Sequence, residues 1–178
     1  MLSIASDTDA FLNLAATGQA PEIARALDAQ WLLVPQVVAE ARFIEAVPPA
    51  GRIPLSAIVA DLVASGMAAL VELDASELTT MVRLAARLGD GESASGAVAL
   101  HRGHTLATDD RLARRVLSAE GVSLTSTPEL MHRWASTGIP GDQEVARALR
   151  AIEQASHFWP GSTHPLAPWW RAASKGGG

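Results

Sequence analysis

The chain has no cysteine. That rules out a disulfide framework and a thiolate metal site, and it agrees with a reducing compartment. No apolar run approaches the roughly 18 to 20 residues of a membrane-spanning helix, because charged or polar residues interrupt each candidate. The opening MLSIASDTDA lacks the basic start and long apolar stretch of a secretory signal, so the expected location is the cytoplasm, with no membrane attachment. There is no internal repeat and no heptad pattern. Nor is there a basic excess: a formal net charge of −5 argues against a general nucleic-acid coat. It leaves open a site where carboxylates hold cations, since bound cations reverse the sign locally. GDGESASG carries no lysine of a phosphate loop, and the serines lack a nucleophile-elbow context. His101 and His104 have a ligand-like spacing, but Gly103 between them marks a helix end.

At 178 residues and 48% hydrophobic, the chain can bury a sizeable core and reads as one domain with an appendage. Short β-like runs alternate with longer helical patterns, which predicts an α/β fold: a parallel, five-stranded central sheet covered by helices. The expected strands are Leu2 to Ser6, Trp31 to Val34, Met67 to Leu73, Thr105 to Thr108 and Val122 to Thr125. Helices are expected over Thr8–Ala16, Pro21–Ala29, Pro35–Ala46, from Leu55 to a stop at Gly66, then Ser76–Leu88, Glu92–His101, Asp110–Glu120 and Pro128–Ser136, with VPPAGRIP as a loop. After TGIPGD the character changes. Residues 1–136 form the expected main domain, and 137–178 an extension with a helix from Asp142 to about His157 and a Pro/Trp-rich tail ending in a flexible SKGGG. Its tryptophans, Trp159, Trp169 and Trp170, require the tail to pack on its own domain or on a partner.

Four acidic positions far apart in sequence each fall where an apolar run meets a helix: Asp7, Glu40, Glu92 and Asp110. In an α/β fold such junctions converge at one end of the sheet, where these folds place ligands. Clustered carboxylates repel one another unless they share divalent cations. Each also has a plainer reading. Asp7 and Asp110 suit helix N-caps, Asp90 suits the cap of the next helix with Glu92 in its first turn, and Glu40 suits solvent.

The order and spacing of these positions resemble the PIN-domain nucleases, especially the VapC-type toxins of bacterial toxin–antitoxin pairs. SDTDAFLNLAATG is similar to the family's opening strand and D-[ST]-[ND] motif, which puts the first metal ligand at Asp7. LLVPQVVAEA is similar to the second element, with its glutamate at Glu40, and GESASGAVAL resembles the third, with its acid at Glu92. LATDDRLARR resembles the fourth, a strand followed by T-x-D at Thr108 and Asp110. The third acid is usually aspartate, and a glutamate there points to a GE-containing branch, with Asp90 as the alternative. Asp109 is a similar alternative to Asp110. The resemblance covers about residues 1 to 136 and implies a PIN-like three-layer fold.

The resemblance also implies hydrolysis of RNA phosphodiester bonds with Mg²⁺ or Mn²⁺, hard cations suited to carboxylate oxygens. Thr108 would orient a ligand or water, and one of Arg111, Arg114 or Arg115 would contact a neighbouring phosphate. Expected partners are an RNA substrate, a cognate antitoxin and a second copy of the chain. The alternative is a PIN-like module that binds RNA or protein without cutting, with Glu92 marking a degraded site.

Overall fold

The computed structural model describes residues 1–40, 43–45 and 52–176. In chain order the first half runs β1 (Leu2–Ser6), α1 (Thr8–Ala16), α2 (Ala20–Ala26), β2 (Ala29–Leu33), α3 (Pro35–Glu40), β3 (Phe43–Glu45), β4 (Arg52–Pro54) and α4 (Leu55–Ala64). The second runs β5 (Ala68–Leu70), α5 (Ala75–Ala85), α6 (Asp90–Arg102), β6 (Thr105–Ala107), α7 (Arg111–Ala119), β7 (Ser123–Thr125), α8 (Thr127–Ser136), α9 (Asp142–Ala155) and α10 (Ala167–Ala173). The expected α/β architecture is present: five strands pair in the order β5-β2-β1-β6-β7, all parallel, with helices on both sides.

The sequence dictates this centre simply. Ile4, Trp31, Leu33 and Leu106 are wholly buried, as strands covered on both faces must be, so they read as continuous apolar runs rather than alternating ones. Ile4 pairs with Trp31 on one side and with Thr105 on the other, which makes β1 the middle strand. The chain first winds from β1 outward through β2 to β5, then crosses through α5 and α6 to β6 on the opposite side. The order therefore reverses between β1 and β6. At such a switch point the connections part and leave a crevice beyond the carboxyl ends of the strands.

Helix α6 closes one wall of that crevice. Its residues Ser93 to Ala99 are small and buried, so its backbone comes close to the sheet. The Ser95 hydroxyl donates to the Ser6 carbonyl at 2.8 Å, and a Cβ at Gly96 would lie 2.7 Å from Leu117 Cδ2. The far end of α6 is tied to α5 by a fork of hydrogen bonds. Arg102 Nε and Nη2 donate to Glu77 Oε1 and Oε2 at 2.6 and 2.8 Å, and Nη2 also reaches the Glu72 carbonyl at 2.9 Å. The other face of that helix end is held by His101, whose Nε2 lies 2.8 Å from Thr80 Oγ1.

Three expectations need correction. The helix expected over Pro35 to Ala46 stops at Glu40, and Phe43–Glu45 is a strand; Ala41, Arg42 and Ala46 lie outside the described residues. The expected loop VPPAGRIP contains strand Arg52–Pro54, which pairs antiparallel with Phe43–Glu45, while residues 47 to 51 lie outside the described residues. The Pro/Trp-rich tail contains a helix, α10, with Pro168 in its first turn, where a missing amide proton costs nothing. The final two glycines of SKGGG are outside the described residues. No helix among the described residues is long and apolar enough to cross a membrane.

Candidate active site

Asp7 follows β1 directly and caps α1: its Oδ1 accepts the Ala10 amide proton at 2.8 Å. A cap is ordinarily wet, but this one is 2% exposed. Its backbone amide donates to the Ala107 carbonyl at 3.1 Å, extending the β1–β6 ladder past the end of both strands. Burial pushes the Asp7 carboxyl up to about 7; hydrogen bonds from the Thr108 hydroxyl and the Ala10 amide oppose the shift, and the charges of Asp109 and Asp9 add to it. A buried carboxylate with neighbouring acids and no basic partner is poised for a cation.

Glu40, at the last residue of α3, reaches across to the start of α6. Its Oε1 accepts the Gly91 amide proton at 2.8 Å and its Oε2 accepts from the Thr8 hydroxyl. Gly91 has no room for a side chain, because a Cβ there would lie 2.6 Å from Glu40 Oε2 and 2.8 Å from Thr8 Oγ1. Glu92, one residue on, turns back to accept the Gly89 amide proton at 3.0 Å, the reciprocal half of a capping box. Burial, reinforced by the charges of Asp110, Asp9 and Glu40, raises the Glu92 carboxyl.

These residues share a cleft of about 250 Å³ lined by Asp7, Thr8, Asp9, Glu40, Gly89, Gly91 and Glu92, with no basic side chain among them. Three of the four acids expected from sequence thus meet there. Asp110 does not line the cleft but lies close enough for its charge to act on Glu92. It caps α7, accepting the Ala113 amide proton at 2.7 Å, and its own amide donates to Thr108 Oγ1 at 3.3 Å. The Thr108 hydroxyl therefore joins Asp7 to the start of α7. The N-cap readings of Asp7 and Asp110 both hold, Asp7 lining the cleft as well and Asp110 standing beside it.

The alternatives sort by direction. Asp109 turns away: its carboxylate accepts from the Thr127 amide at 2.9 Å, the Thr127 hydroxyl and the Asn13 amide at 3.2 Å, and burial raises its pKa. Asp90 is exposed in the first turn of α6, and Gly89 rather than Asp90 is the cap. Among the arginines, Arg114 is already engaged, donating to the Thr108 and Thr125 carbonyls at 3.0 Å each and lying 3.9 Å from Glu129. Arg111 and Arg115 are exposed.

Sequence reasoning passed over Asp9, Thr8 and Gly91. Asp9 was legible, since it is the third position of the D-[ST]-[ND] pattern and one helical step from Asp7. Thr8 and Gly91 were not, because each matters only through its contact with Glu40 from a distant element.

Among the described residues, no group of three or more acidic or histidine side chains stands gathered as a ready ion cage. The donors nonetheless fit a hard divalent cation in chemistry: all are carboxylate oxygens, and the buried one has no basic partner. Gly91→Ala is expected to test the arrangement. The new methyl must displace the Glu40 carboxylate, the flexible end of an exposed side chain, and rotate the Thr8 hydroxyl away, so the Tm in chelator should move little. Excess Mn²⁺, at roughly 100 times its Kd, should raise the wild-type Tm by about 5–11 °C, from ~2.7 kcal/mol at 2–4 °C per kcal/mol, and raise the variant's less. Equal rises in the two proteins would remove Glu40 from the site.

No curated protein matches the chain. A family model described as the PIN domain matches residues 3–164, nine-tenths of its length and well past the 1–136 of the sequence resemblance. With Asp7, Glu40 and Glu92 lining a cleft at the switch point of a parallel five-stranded sheet, the chain belongs to the PIN-domain family.

Proposed function

We propose that this PIN-domain protein is a Mg²⁺- or Mn²⁺-dependent endoribonuclease, and that it is the toxin of a type II toxin–antitoxin pair, working in the cytoplasm as a homodimer restrained by its antitoxin. PIN domains are in general nucleases that use divalent metals, and the observation that carries the specific reading is the all-carboxylate cleft around the buried Asp7.

Asp7, Glu40 and Glu92, with Asp110 beside them, would hold the ion. When bound, a divalent cation lowers the pKa of its water and offsets charge on the phosphate under attack. The chain's own part is positional. Thr108 fixes the Asp7 carboxylate from the β6 side, Thr8 and Gly91 fix Glu40, and Gly89 fixes Glu92. Burial of Asp7 keeps bulk water from screening its charge, which strengthens its hold on a cation. The negative cleft repels an RNA backbone until cations fill it, so metal and substrate affinities should rise together. PIN-type hydrolysis leaves a 5′-phosphate and a 3′-hydroxyl.

A PIN-like module that binds without cutting is the second reading, favoured by Glu92, whose carboxylate is turned back onto the Gly89 amide. Expression in a bacterial host separates the two. The toxin reading predicts slowed growth, relieved by a small protein encoded beside the gene and absent with Glu92→Gln. Equal growth inhibition by wild type and Glu92→Gln, or none by either, contradicts it.

A further inference from the structure

The segment between α9 and α10 returns to the cleft end of the molecule. Gly161 lies against Arg111, so closely that a Cβ there would be 3.1 Å from Arg111 Nη2. Arg111 is the residue after Asp110 and the first of α7. A cation at that position faces the positive end of the helix dipole and so does nothing for helix stability. Among the described residues Arg111 forms no ion pair, and its guanidinium lies against Gly161.

Two residues before Gly161 stands Trp159, its Cα within about 7 Å of that of Gly161 by the reach of the chain. Trp31, Trp134 and Trp170 are fully buried and Trp169 packs edge-on against His132, whereas Trp159 is 56% exposed. The exposure is not slackness. The neighbouring Phe158 packs on Trp170, centroids 5.8 Å apart, and Trp170 in turn donates to Glu153 at 2.8 Å. His157 before it holds a left-handed backbone, φ +50°, a conformation that residues with a Cβ rarely adopt. Turn hydrogen bonds from the His164 amide to the Gly161 carbonyl (2.8 Å) and from the Ala167 amide to the His164 carbonyl (3.0 Å) close the other side. The chain thus anchors one aromatic inward and presents the next outward, two residues from the Gly161 that lies against Arg111, the neighbour of Asp110.

We infer that Trp159 and Arg111 form a binding platform for single-stranded RNA, with an unpaired base stacked on the Trp159 indole and an adjacent phosphate held by the Arg111 guanidinium. This rests on the ribonuclease reading and sharpens it. Stacking on an aromatic side chain requires a base free of a duplex and tolerates any sequence, while a guanidinium takes a phosphate without reading a base. The platform also supplies attraction that the cleft lacks before it is filled by cations.

The test is binding without cleavage: fluorescence anisotropy of a labelled 2′-O-methyl single-stranded oligoribonucleotide with the full chain, in chelator, which leaves the metal-dependent reaction out of the readout. Base–aromatic stacking of about 1–3 kcal/mol predicts that Trp159→Ala raises Kd by roughly 5- to 150-fold and that Trp159→Phe recovers most of the loss. Arg111→Ala should raise Kd and flatten its salt dependence, and a blunt duplex of the same sequence should be insensitive to Trp159→Ala. Unchanged single-strand affinity in a folded Trp159→Ala protein overturns the platform. So does a change in oligomeric state, by sedimentation, in place of a change in affinity, since that makes Trp159 a protein contact. If wild type binds through Trp159 yet cuts no RNA under any metal, the platform stands and the ribonuclease reading falls.

Discussion

In chelator, Asp7→Asn is expected to melt well above wild type at pH 8 and close to it at pH 4. The cause is the burial of Asp7, which raises its pKa from an ordinary 3.8 to about 7. Between those values the folded state binds more protons than the unfolded state, so stability falls as pH rises; the penalty is absent below about 3.8 and complete above about 7. At 1.36 kcal/mol per pH unit the loss is on the order of 4 kcal/mol, or roughly 8–16 °C in Tm for a chain of this size. Asparagine keeps the hydrogen bond from the Ala10 amide and escapes the penalty. Comparing the two proteins at each pH cancels the titrations that do not couple to Asp7; Asp9 and Asp109, which do, are relieved by the same substitution. A difference that does not grow with pH would mean that Asp7 is solvated and ionised without help, and the argument for a cation there would lose its basis.

The second large effect lies away from the cleft. Glu77 is buried, with 1% of its side chain exposed, and its charge is balanced by Arg102. Hydrogen bonds from Arg102 hold the Glu77 carboxyl below its ordinary value. The sign is therefore opposite to that of Asp7: the stabilisation is present above about 4.5 and lost as pH falls through the depressed folded value. Arg102→Ala leaves a buried carboxylate without its partner, which costs about 3–5 kcal/mol in general. Arg102 is 36% exposed, so water relieves part of the loss and the low end is expected. Arg102→Lys should recover little, because an ammonium cannot make the two-point fork. Urea unfolding at pH 7 measures all three, and a loss under about 1 kcal/mol for Arg102→Ala would show the pair to be a weak surface contact.

The central sheet was legible because each of its strands is a short apolar run bounded by turn or cap residues, and helix caps such as Asp7 and Asp110 mark where the strands end. The same fact placed the acids at the sheet's ligand edge. Phe43–Glu45 and Arg52–Pro54 escaped because the first continues the helix-like run from Pro35 and the second lies in the Pro-rich VPPAGRIP, so neither stands out as an apolar run between turns. Their identity comes from pairing with each other, a non-local fact. The tail helix was hidden for a similar reason: APWWRAA is too short to show an amphipathic stripe, and it is a helix because Trp170 and Ala167 find a buried seat. The choice between Asp109 and Asp110 was open in sequence, and it is Thr127 and Asn13, on two other helices, that turn Asp109 away. Asp90 and Glu92 were separable only once Gly89 proved to be the cap.

The measurement closest to the central claim is RNA cleavage by purified wild type and Asp7→Asn side by side, with Mg²⁺, with Mn²⁺ and with chelator, the fold of both checked by melting. The account predicts cleavage by wild type only when metal is present, with 5′-phosphate ends, and none by Asp7→Asn under any condition although that protein is folded and, above neutral pH, the more stable of the two in chelator. Full metal-dependent cleavage by a folded Asp7→Asn protein, or cleavage by wild type that persists in chelator, would contradict it.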